Sequence, residues 1–425
     1  MRPKLRSLEI RPVGSEEGGE EYWMLSDREG LSEDRYVPIE FGPLLALLDG
    51  TRDAQGIARD YSRRYNEELP LQMVEDLVAQ LDQALLLDSP RFAQHKRDKM
   101  AAWNDSPSRP SAFAGLSYPD NPDALREFFN VLFERARQLE KEPPASTYST
   151  PAVPCEASQI CGVVVPHIDF GRGGAVEAMA YRALLKAHRA RPFDVLVVLG
   201  IAHAGVHYPF CAISKDFETP LGTQPTERDF VAALQKRVGP RLKSEQWAHK
   251  NEHSIEFVAA FLQHLEPLRS VPIVPILCGG FFAAIRSGKP PEQNESIGGF
   301  IQALREVTQR YEAAGKRVGF IASVDGAHVG SPFGHTFKVT PQVLLDVQRD
   351  DLEFWKAVEE GDAAAMHAHI SRDDNARHVD AHPALYTLML AFPNLHSVLL
   401  RYDRAFSAER NELVSFATLA LCEGE

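Results

Sequence analysis

The stretch GVVVPHIDFGRGG, residues 162–174, ends an apolar run with a histidine and an aspartate two positions apart. Similar β-branched runs occur at 160–165, 194–199, 271–277, 317–322 and 396–401. Helical patterns lie between most of them, at 174–189, 226–238, 254–264, 295–313, 341–359 and 382–392. Continuous apolar strands that alternate with helices are typical of a mainly parallel sheet covered by helices on both faces. The sequence therefore predicts an α/β domain over residues 113–425.

The first 92 residues are expected to form a separate, small helical module of winged-helix type. Apolar residues recur at helical spacing through 44–48, 57–61 and 74–85. Gly50 marks a helix end, and either Thr51 or Asp53 can cap the next helix. Residues 93–112 are polar and contain two prolines, so we interpret them as a linker between the two domains.

Composition restricts the classes of partner and the cellular location. The formal net charge of −13 would repel a phosphate backbone, so nucleic acid is not expected as a partner. No apolar run reaches the roughly 20 residues that span a bilayer, and the first residues lack the apolar core of a signal peptide. The five cysteines include no CxxC pair, which argues against a disulfide framework or a cysteine-rich zinc site and fits a reducing compartment. A cytoplasmic protein is predicted.

Polar residues cluster where the predicted strands end. Right-handed crossovers place the carboxyl ends of parallel strands along one edge of the sheet, and open α/β sheets bind ligands at that edge. The residues that follow these strands or precede helices near them are His167, His203, Glu252, His253, Asp325, His328 and Asp380. A single histidine at a strand end does not indicate a functional site. Several such residues at the same edge of the sheet predict a cleft that binds a metal or carries out a reaction.

Histidine and carboxylate side chains suit both metal binding and proton transfer. Neutral imidazole binds divalent transition metals and titrates near pH 7. Two histidines with one carboxylate form the facial set of non-haem iron oxygenases, and the same set can hold zinc with a bound water. His167 and His203 are the strongest ligand candidates because they follow central-looking strands directly.

Ordered motifs in the second domain resemble those of a known family. They are PHIDF (166–170), LGIAHAG (199–205), FETPLG (217–222), NEHSIE (251–256), IVPILCG (273–279), SVDGAHVG (323–330) and VDAHPA (379–384). Together they resemble the Memo family, known in bacteria as AmmeMemoRadiSam system protein B. The resemblance implies a fold like that of the LigB-type class III extradiol dioxygenases, with a metal cleft at the carboxyl ends of the strands.

The resemblance also implies site residues, with one departure from the family pattern. His167 and His203 correspond to the family's histidine ligands, but the family's cysteine ligand falls on Val379, which cannot bind a metal. Either Asp380 or Asp169 would restore a two-histidine, one-carboxylate set. The resemblance then implies a divalent transition metal, with iron favoured and copper or zinc as alternatives.

The remaining cleft residues receive roles by the same resemblance. His253 and His328 would act in acid–base chemistry, and Glu252 and Asp325 would orient them. Helix capping is an alternative role for the two carboxylates.

Residues 35–92 resemble PqqD-like peptide-recognition domains. The resemblance depends on Asp49, Gly50, Thr51 and the run 84–87. An ordinary helical packing module without a ligand fits these residues equally well. The two resemblances imply a metal-dependent oxidoreductase that acts with a radical-SAM enzyme and a peptide. The alternatives are a non-catalytic peptide- or metal-binding protein and a scaffold with remnant histidines.

Overall fold

The computed structural model describes residues 2–14, 21–27, 29–142 and 155–424. The chain divides into two compact units, Met1–Ser106 and Pro107–Glu425. Each unit has a hydrophobic core of its own.

The first unit combines a small antiparallel sheet with helices. Its strands, in the spatial order β1-β2-β3, are β1 (Glu9–Gly14), β2 (Glu21–Ser26) and β3 (Arg35–Pro38). Its helices are α1 (Gly42–Leu45), α2 (Ala54–Tyr65), α3 (Leu71–Gln83) and α4 (Pro90–Asp105). The predicted apolar face of 44–48 does lie in the core, and Asp53 caps α2 by accepting the amide of Gly56 at 2.8 Å. The sheet was not predicted, because β1 is exposed along nearly all of its length and shows no apolar alternation.

The interpretation of 93–112 as a linker is wrong for residues 93–105, which belong to α4. Ser89 caps this helix by accepting the amide of Phe92 at 3.2 Å, and Pro90 occupies its first turn. Phe92 and Trp103 are its buried side chains, so a mostly polar segment still packs as a helix. The residues from Pro107 onward belong to the second unit, where Arg109 is fully buried.

The second unit is an α/β domain, as predicted. Its strands are β4 (Ser108–Arg109), β5 (Ile160–Val165), β6 (Val195–Ile201), β7 (Phe210–Ala212), β8 (Asp216–Thr219), β9 (Gly222–Gln224), β10 (Ile273–Cys278), β11 (Val318–Ser323), β12 (His328–Gly330), β13 (Leu395–Ser407) and β14 (Glu412–Glu423). Its helices are α5 (Pro122–Leu139), α6 (Phe170–Ala190), α7 (Arg228–Val238), α8 (His253–His264), α9 (Phe282–Ser287), α10 (Glu295–Ala313), α11 (Pro341–Glu359), α12 (Ala363–Ser371) and α13 (Ala381–Ala391).

The main sheet has a parallel centre and antiparallel edges. Its strand order is β12-β14-β5-β11-β6-β10-β7, and β13 pairs with β14. The pairs β5–β11, β11–β6 and β6–β10 are parallel, whereas β14, β12, β13 and β7 add antiparallel pairs. A second small sheet has the order β4-β8-β9. The sheet is therefore mixed, and the predicted parallel arrangement holds for its four central strands.

Both faces of the sheet are covered by helices. Along β6, Val195, Val197 and Leu199 pack into one core, and Leu196 and Val198 pack into the other. The first core takes its helical side chains from α7 and from α9 to α13, and the second takes them from α5, α6 and α8. Within the described ranges, no helix combines the length and the apolar character needed to cross a bilayer.

Strand β14 brings together two cysteines that the sequence keeps far apart. β14 runs antiparallel to β5, and Cys422 near its end pairs with Ile160 at the start of β5. This places Cys422 beside Cys155, and a disulfide joins the two across 267 positions, with their Cα atoms 6.3 Å apart. The argument from spacing against disulfides fails for this pair, because strand β14, which the sequence did not predict, sets the proximity of the two cysteines.

Candidate functional site

Three histidines meet at the carboxyl edge of the parallel strands. His167 lies just after β5, His203 just after β6, and His253 begins α8. One nitrogen of each ring lies within 4.8 Å of the others. The ring of His167 is 5.0 Å from each of the other two rings, and His203 and His253 stack at 4.6 Å.

The position of His253 depends on the tight docking of α8 against the end of β6. The hydroxyl of Ser254 donates to the carbonyl of Ile201 and accepts from its amide, both at 3.1 Å. A Cβ atom at Gly200 would lie 2.6 Å from that hydroxyl, so only glycine permits this approach. The sequence LGI therefore determines how closely α8 can present its first residue to the cleft.

His167 is buried and has a fixed orientation. Its Nδ1 lies 2.9 Å from the carbonyl oxygen of Ser323, and since a carbonyl only accepts, Nδ1 carries the proton. Its Nε2 then points at Oδ2 of Asp380, at 3.1 Å. Burial opposes protonation, but the charges of Asp325 and Asp380 outweigh it and raise the pKa of His167.

His203 repeats this arrangement with a different anchor. Its amide and its Nδ1 both donate to the Glu252 carboxylate, at 2.9 Å each. Its Nε2 lies 3.8 Å from Oδ2 of Asp380. Burial opposes protonation here too, but the charges of Glu252 and Asp380 raise the pKa of His203 to about 10.

Asp380 is the carboxylate on which the two Nε2 atoms converge. It immediately precedes α13, and its Oδ1 accepts the amide of Asp325 at 2.7 Å, which leaves Oδ2 directed at the histidines. Burial alone would raise its pKa, but the neighbouring His167 and His203 lower it, so the group is ionised.

Asp325 and Glu252 act as supports for the histidines. The buried Asp325 accepts the amide of His167 at 3.0 Å, and burial together with the charge of Asp380 raises the pKa of Asp325. Glu252 accepts the amide of Ser254 at 3.0 Å, so it caps α8 while it anchors His203. Glu252 therefore combines the two roles considered for it, orienting a histidine and capping a helix.

His253 has the opposite electrostatic character to the other two histidines. Burial and the charge of His167 lower its pKa to about 3, so its ring is neutral at pH 7. Its Nδ1 lies 3.3 Å from Oε1 of Glu252. A neutral ring beside the cleft can accept a proton or bind a metal.

Two other predicted residues have their hydrogen bonds outside the histidine cluster, although the His328 ring lies close enough to act on the charges of Asp325 and Asp380. His328 directs Nδ1 at the carbonyl of His378, 3.1 Å away, and packs against Phe333. Asp169 accepts the amide of Arg172 at 3.1 Å and pairs with its guanidinium, so it caps α6. Of the two candidate carboxylates, Asp380 therefore lies within 4 Å of both His167 and His203, whereas Asp169 is engaged by Arg172.

A buried arginine that the sequence reading missed supports the site from behind. Arg109 donates to the carbonyls of Glu252 and His249, both at 2.8 Å, and pairs with the fully buried Glu256. It therefore fixes the backbone that carries Glu252. Its position inside a segment interpreted as a linker concealed this role.

The donor set fits a divalent transition metal. Ligands at about 2.0–2.1 Å from one tetrahedral ion lie roughly 3–3.5 Å from each other. The two separations from Oδ2 of Asp380, 3.1 and 3.8 Å, fall near this range. Each of the two histidines also has its second ring nitrogen held by a protein acceptor, which is usual for metal ligands.

The fold and this edge define a class of protein: an α/β domain with a histidine–carboxylate cleft at the carboxyl ends of its central strands. The family described as Memo-like protein matches residues 109–420. The chain therefore belongs to the Memo family, which confirms the resemblance drawn from the motifs.

Curated relatives agree with this assignment over different shares of the chain. A MEMO1 family protein of Aquifex aeolicus is 26% identical over 422 residues, which cover 98% of this chain and 99% of the relative. A MEMO1 family protein of Thermus thermophilus is 25% identical over 371 residues, which cover 87% of this chain and 99% of the relative. A MEMO1 family protein of Methanocaldococcus jannaschii is 31% identical over 167 residues, which cover 39% of this chain and 55% of the relative.

Proposed function

We propose that the protein is a metal-dependent oxidoreductase of the non-haem iron type, with His167, His203 and Asp380 as the metal ligands. The observation that carries this proposal is the 3.1 Å separation between Nε2 of His167 and Oδ2 of Asp380. Since Nδ1 of His167 already holds a proton, Nε2 of the neutral ring offers a lone pair to a carboxylate oxygen. Two acceptors at this distance require a cation between them, either a proton or a metal ion.

The residues around the ligands supply the other functions of such a site. A bound iron ion would supply Lewis-acid and redox chemistry. Glu252 holds the proton on Nδ1 of His203, and Asp325 fixes the backbone of His167. His253, neutral at pH 7 and 27% exposed, would accept a hydrogen bond from a bound substrate and orient it.

Oxygen consumption tests this function. Protein reconstituted anaerobically with ferrous iron is mixed with oxygenated buffer that contains a catechol as the probe substrate. We expect turnover by the wild type and none by His203→Ala, which loses iron. His253→Gln should keep its iron but lose most of the turnover, and His95→Gln in α4 serves as the matched control. An iron-loaded wild type that consumes no oxygen with a catechol or a peptide would contradict the catalytic proposal.

Val379 favours a second candidate, a binding protein without turnover. This buried valine occupies the position at which the family pattern has a cysteine ligand, so a thiolate is missing from the set. The cleft would then hold a metal ion or a peptide without chemistry. Stoichiometric iron in a wild type that shows no oxygen uptake would support this candidate.

A partner enzyme and a peptide are proposed from the family resemblances. We propose that the chain acts with a radical-SAM enzyme and that its first unit binds a peptide. Co-expression of the full chain with a radical-SAM enzyme of the same organism, followed by size-exclusion chromatography, tests the first part. Elution as one complex is expected, and separate elution at micromolar concentration would contradict a stable partnership.

A further inference from the structure

A second cluster of metal-ligating side chains lies at the opposite edge of the main sheet. Cys155, His396 and Cys422 each offer one ligand atom, and these atoms lie within 4.8 Å of one another. His396 pairs with Cys422 across strands β13 and β14, and Cys422 pairs with Ile160 at the start of β5. Since His167 follows the far end of β5, roughly 20 Å of strand separates this cluster from the histidine cleft.

The surroundings of the cluster allow access to two of its three ligand residues. Cys422 itself is buried between β13 and β5. Cys155 is partly buried and lines a cavity of about 450 Å³. His396 is exposed.

We propose a second metal site, for a thiophilic ion of the zinc class, formed by Cys155, Cys422 and His396. The disulfide between the two cysteines prevents the ion from binding. Two thiolates and one imidazole are a known three-ligand set for zinc and leave one coordination position for water or an exogenous ligand. In the disulfide form neither sulfur is a thiolate, so metal binding and disulfide formation exclude each other. The site is independent of the proposed function of the histidine cleft.

Formation of the disulfide between Cys155 and Cys422 requires an external oxidant. A low-molecular-weight disulfide takes up two electrons and two protons from the thiols of Cys155 and Cys422 and leaves as two thiols. Two S–H bonds break in the protein and one S–S bond forms. In the reduced protein a zinc-class ion displaces the two thiol protons instead, so binding releases protons.

Cobalt(II) is the probe that separates the two clusters. Thiolate ligands give cobalt an intense near-ultraviolet charge-transfer absorption, which histidine and carboxylate ligands do not give. Full-length protein is reduced, freed of reductant and titrated with Co²⁺ without oxygen, beside protein oxidised with oxidised glutathione. We expect the absorption in the reduced protein alone, together with two more titratable thiols than in the oxidised protein.

Variants identify the ligands. Cys155→Ser should abolish the charge-transfer absorption, and His396→Gln should weaken cobalt binding at this site at least about 10-fold. His95→Gln is the matched histidine control and should leave it unchanged. Thermal unfolding and circular dichroism verify that each variant is folded. An absent absorption in reduced wild type, its persistence in Cys155→Ser, or equal thiol counts in both redox forms would overturn the proposal.

Discussion

The Nε2 atom of His167 lies 3.1 Å from Oδ2 of Asp380, although 213 positions separate the two residues in the chain. The carbonyl of Ser323 fixes one side of the imidazole, and the amide of Asp325 fixes the other carboxylate oxygen. Two acceptor atoms are thereby held face to face in a largely buried setting. A cation between them, a proton in the free protein or a metal ion in the loaded one, explains the arrangement.

Metal affinity should rise with pH because protons compete for the same nitrogen atoms. The pKa of His203 is raised to about 10, so its ring binds a proton at neutral pH in the metal-free protein, and the charges of Asp325 and Asp380 raise the pKa of His167 in the same direction. Loading the site must release the proton of His203. We expect Zn²⁺ affinity at the cleft, measured by isothermal titration calorimetry in Cys155→Ser, to increase steadily between about pH 6 and 8. A pH-independent affinity would contradict this assignment of the ligands.

Glu252→Gln should weaken metal binding without removing a ligand. The amide side chain loses the negative charge that holds Nδ1–H of His203, so the ring becomes a poorer and less oriented donor. The expected loss is about 10–100-fold in metal affinity. Glu295→Gln provides the matched control, because Glu295 is an exposed carboxylate in the first turn of α10. Equal losses in the two variants would show that the effect is not specific to the cleft.

Arg109→Met should destabilise the second unit strongly. The substitution leaves Glu256 as an unpaired buried charge, although that carboxylate still accepts the amides of Ala112 and Phe113 at 2.9 Å. Breaking one side of a buried ion pair costs about 3–5 kcal/mol of unfolding free energy. Urea unfolding followed by circular dichroism measures the change.

A second variant checks the cause of that loss. Arg109→Met combined with Glu256→Gln removes the orphaned charge and should recover part of the lost free energy. If the double variant were less stable than Arg109→Met alone, hydrogen bonds of Glu256 rather than its charge would dominate. A loss below about 1 kcal/mol in Arg109→Met would contradict the supporting role.

His249 should make the protein sensitive to acid. Burial lowers its pKa from 6.5 to about 3, and its Nε2 lies 3.0 Å from the carbonyl of Cys211. A histidine whose pKa is lower in the folded state stabilises the protein above pH 6.5, and this contribution is lost as the pH falls toward 3. His249→Gln keeps a donor but does not titrate, so its unfolding free energy should fall less steeply across this range. Identical pH profiles for wild type and variant would refute the assignment.

The sequence predicted the central part of the fold because that part has regular periodicity. The runs at 160–165, 271–277 and 317–322 lie on β5, β10 and β11, and their apolar character reflects burial on both faces. The convergence of His167 with His203 follows from parallel strands that end at one edge. The sequence placed Asp380 in the same cleft through its position before a helix and through its place next to Val379 in the family pattern, and left Asp169 as an alternative.

Other features depend on long-range contacts that no local pattern encodes. β14, with the sequence ELVSFATLALCE, mixes Ser and Thr with Ala and Leu and lacks the β-branched run that marked the other strands. Its antiparallel pairing with β5 brings Cys422 beside Cys155. In the sequence Arg109 is likewise one polar residue among many, and its role follows only from the ion pair with the buried Glu256.

The metal content of protein purified without oxygen tests the central claim most directly. Elemental analysis is performed on the wild type, His203→Ala, Asp380→Asn and Asp169→Asn, each in a Cys155→Ser background that disables the second cluster. The account predicts near-stoichiometric iron, copper or zinc in the background protein and in Asp169→Asn, which alters a helix cap. The same metal should be lost from His203→Ala and Asp380→Asn. Equal metal content in all four proteins, or no metal in the background protein after iron reconstitution, would contradict the assignment of the cleft as a metal site.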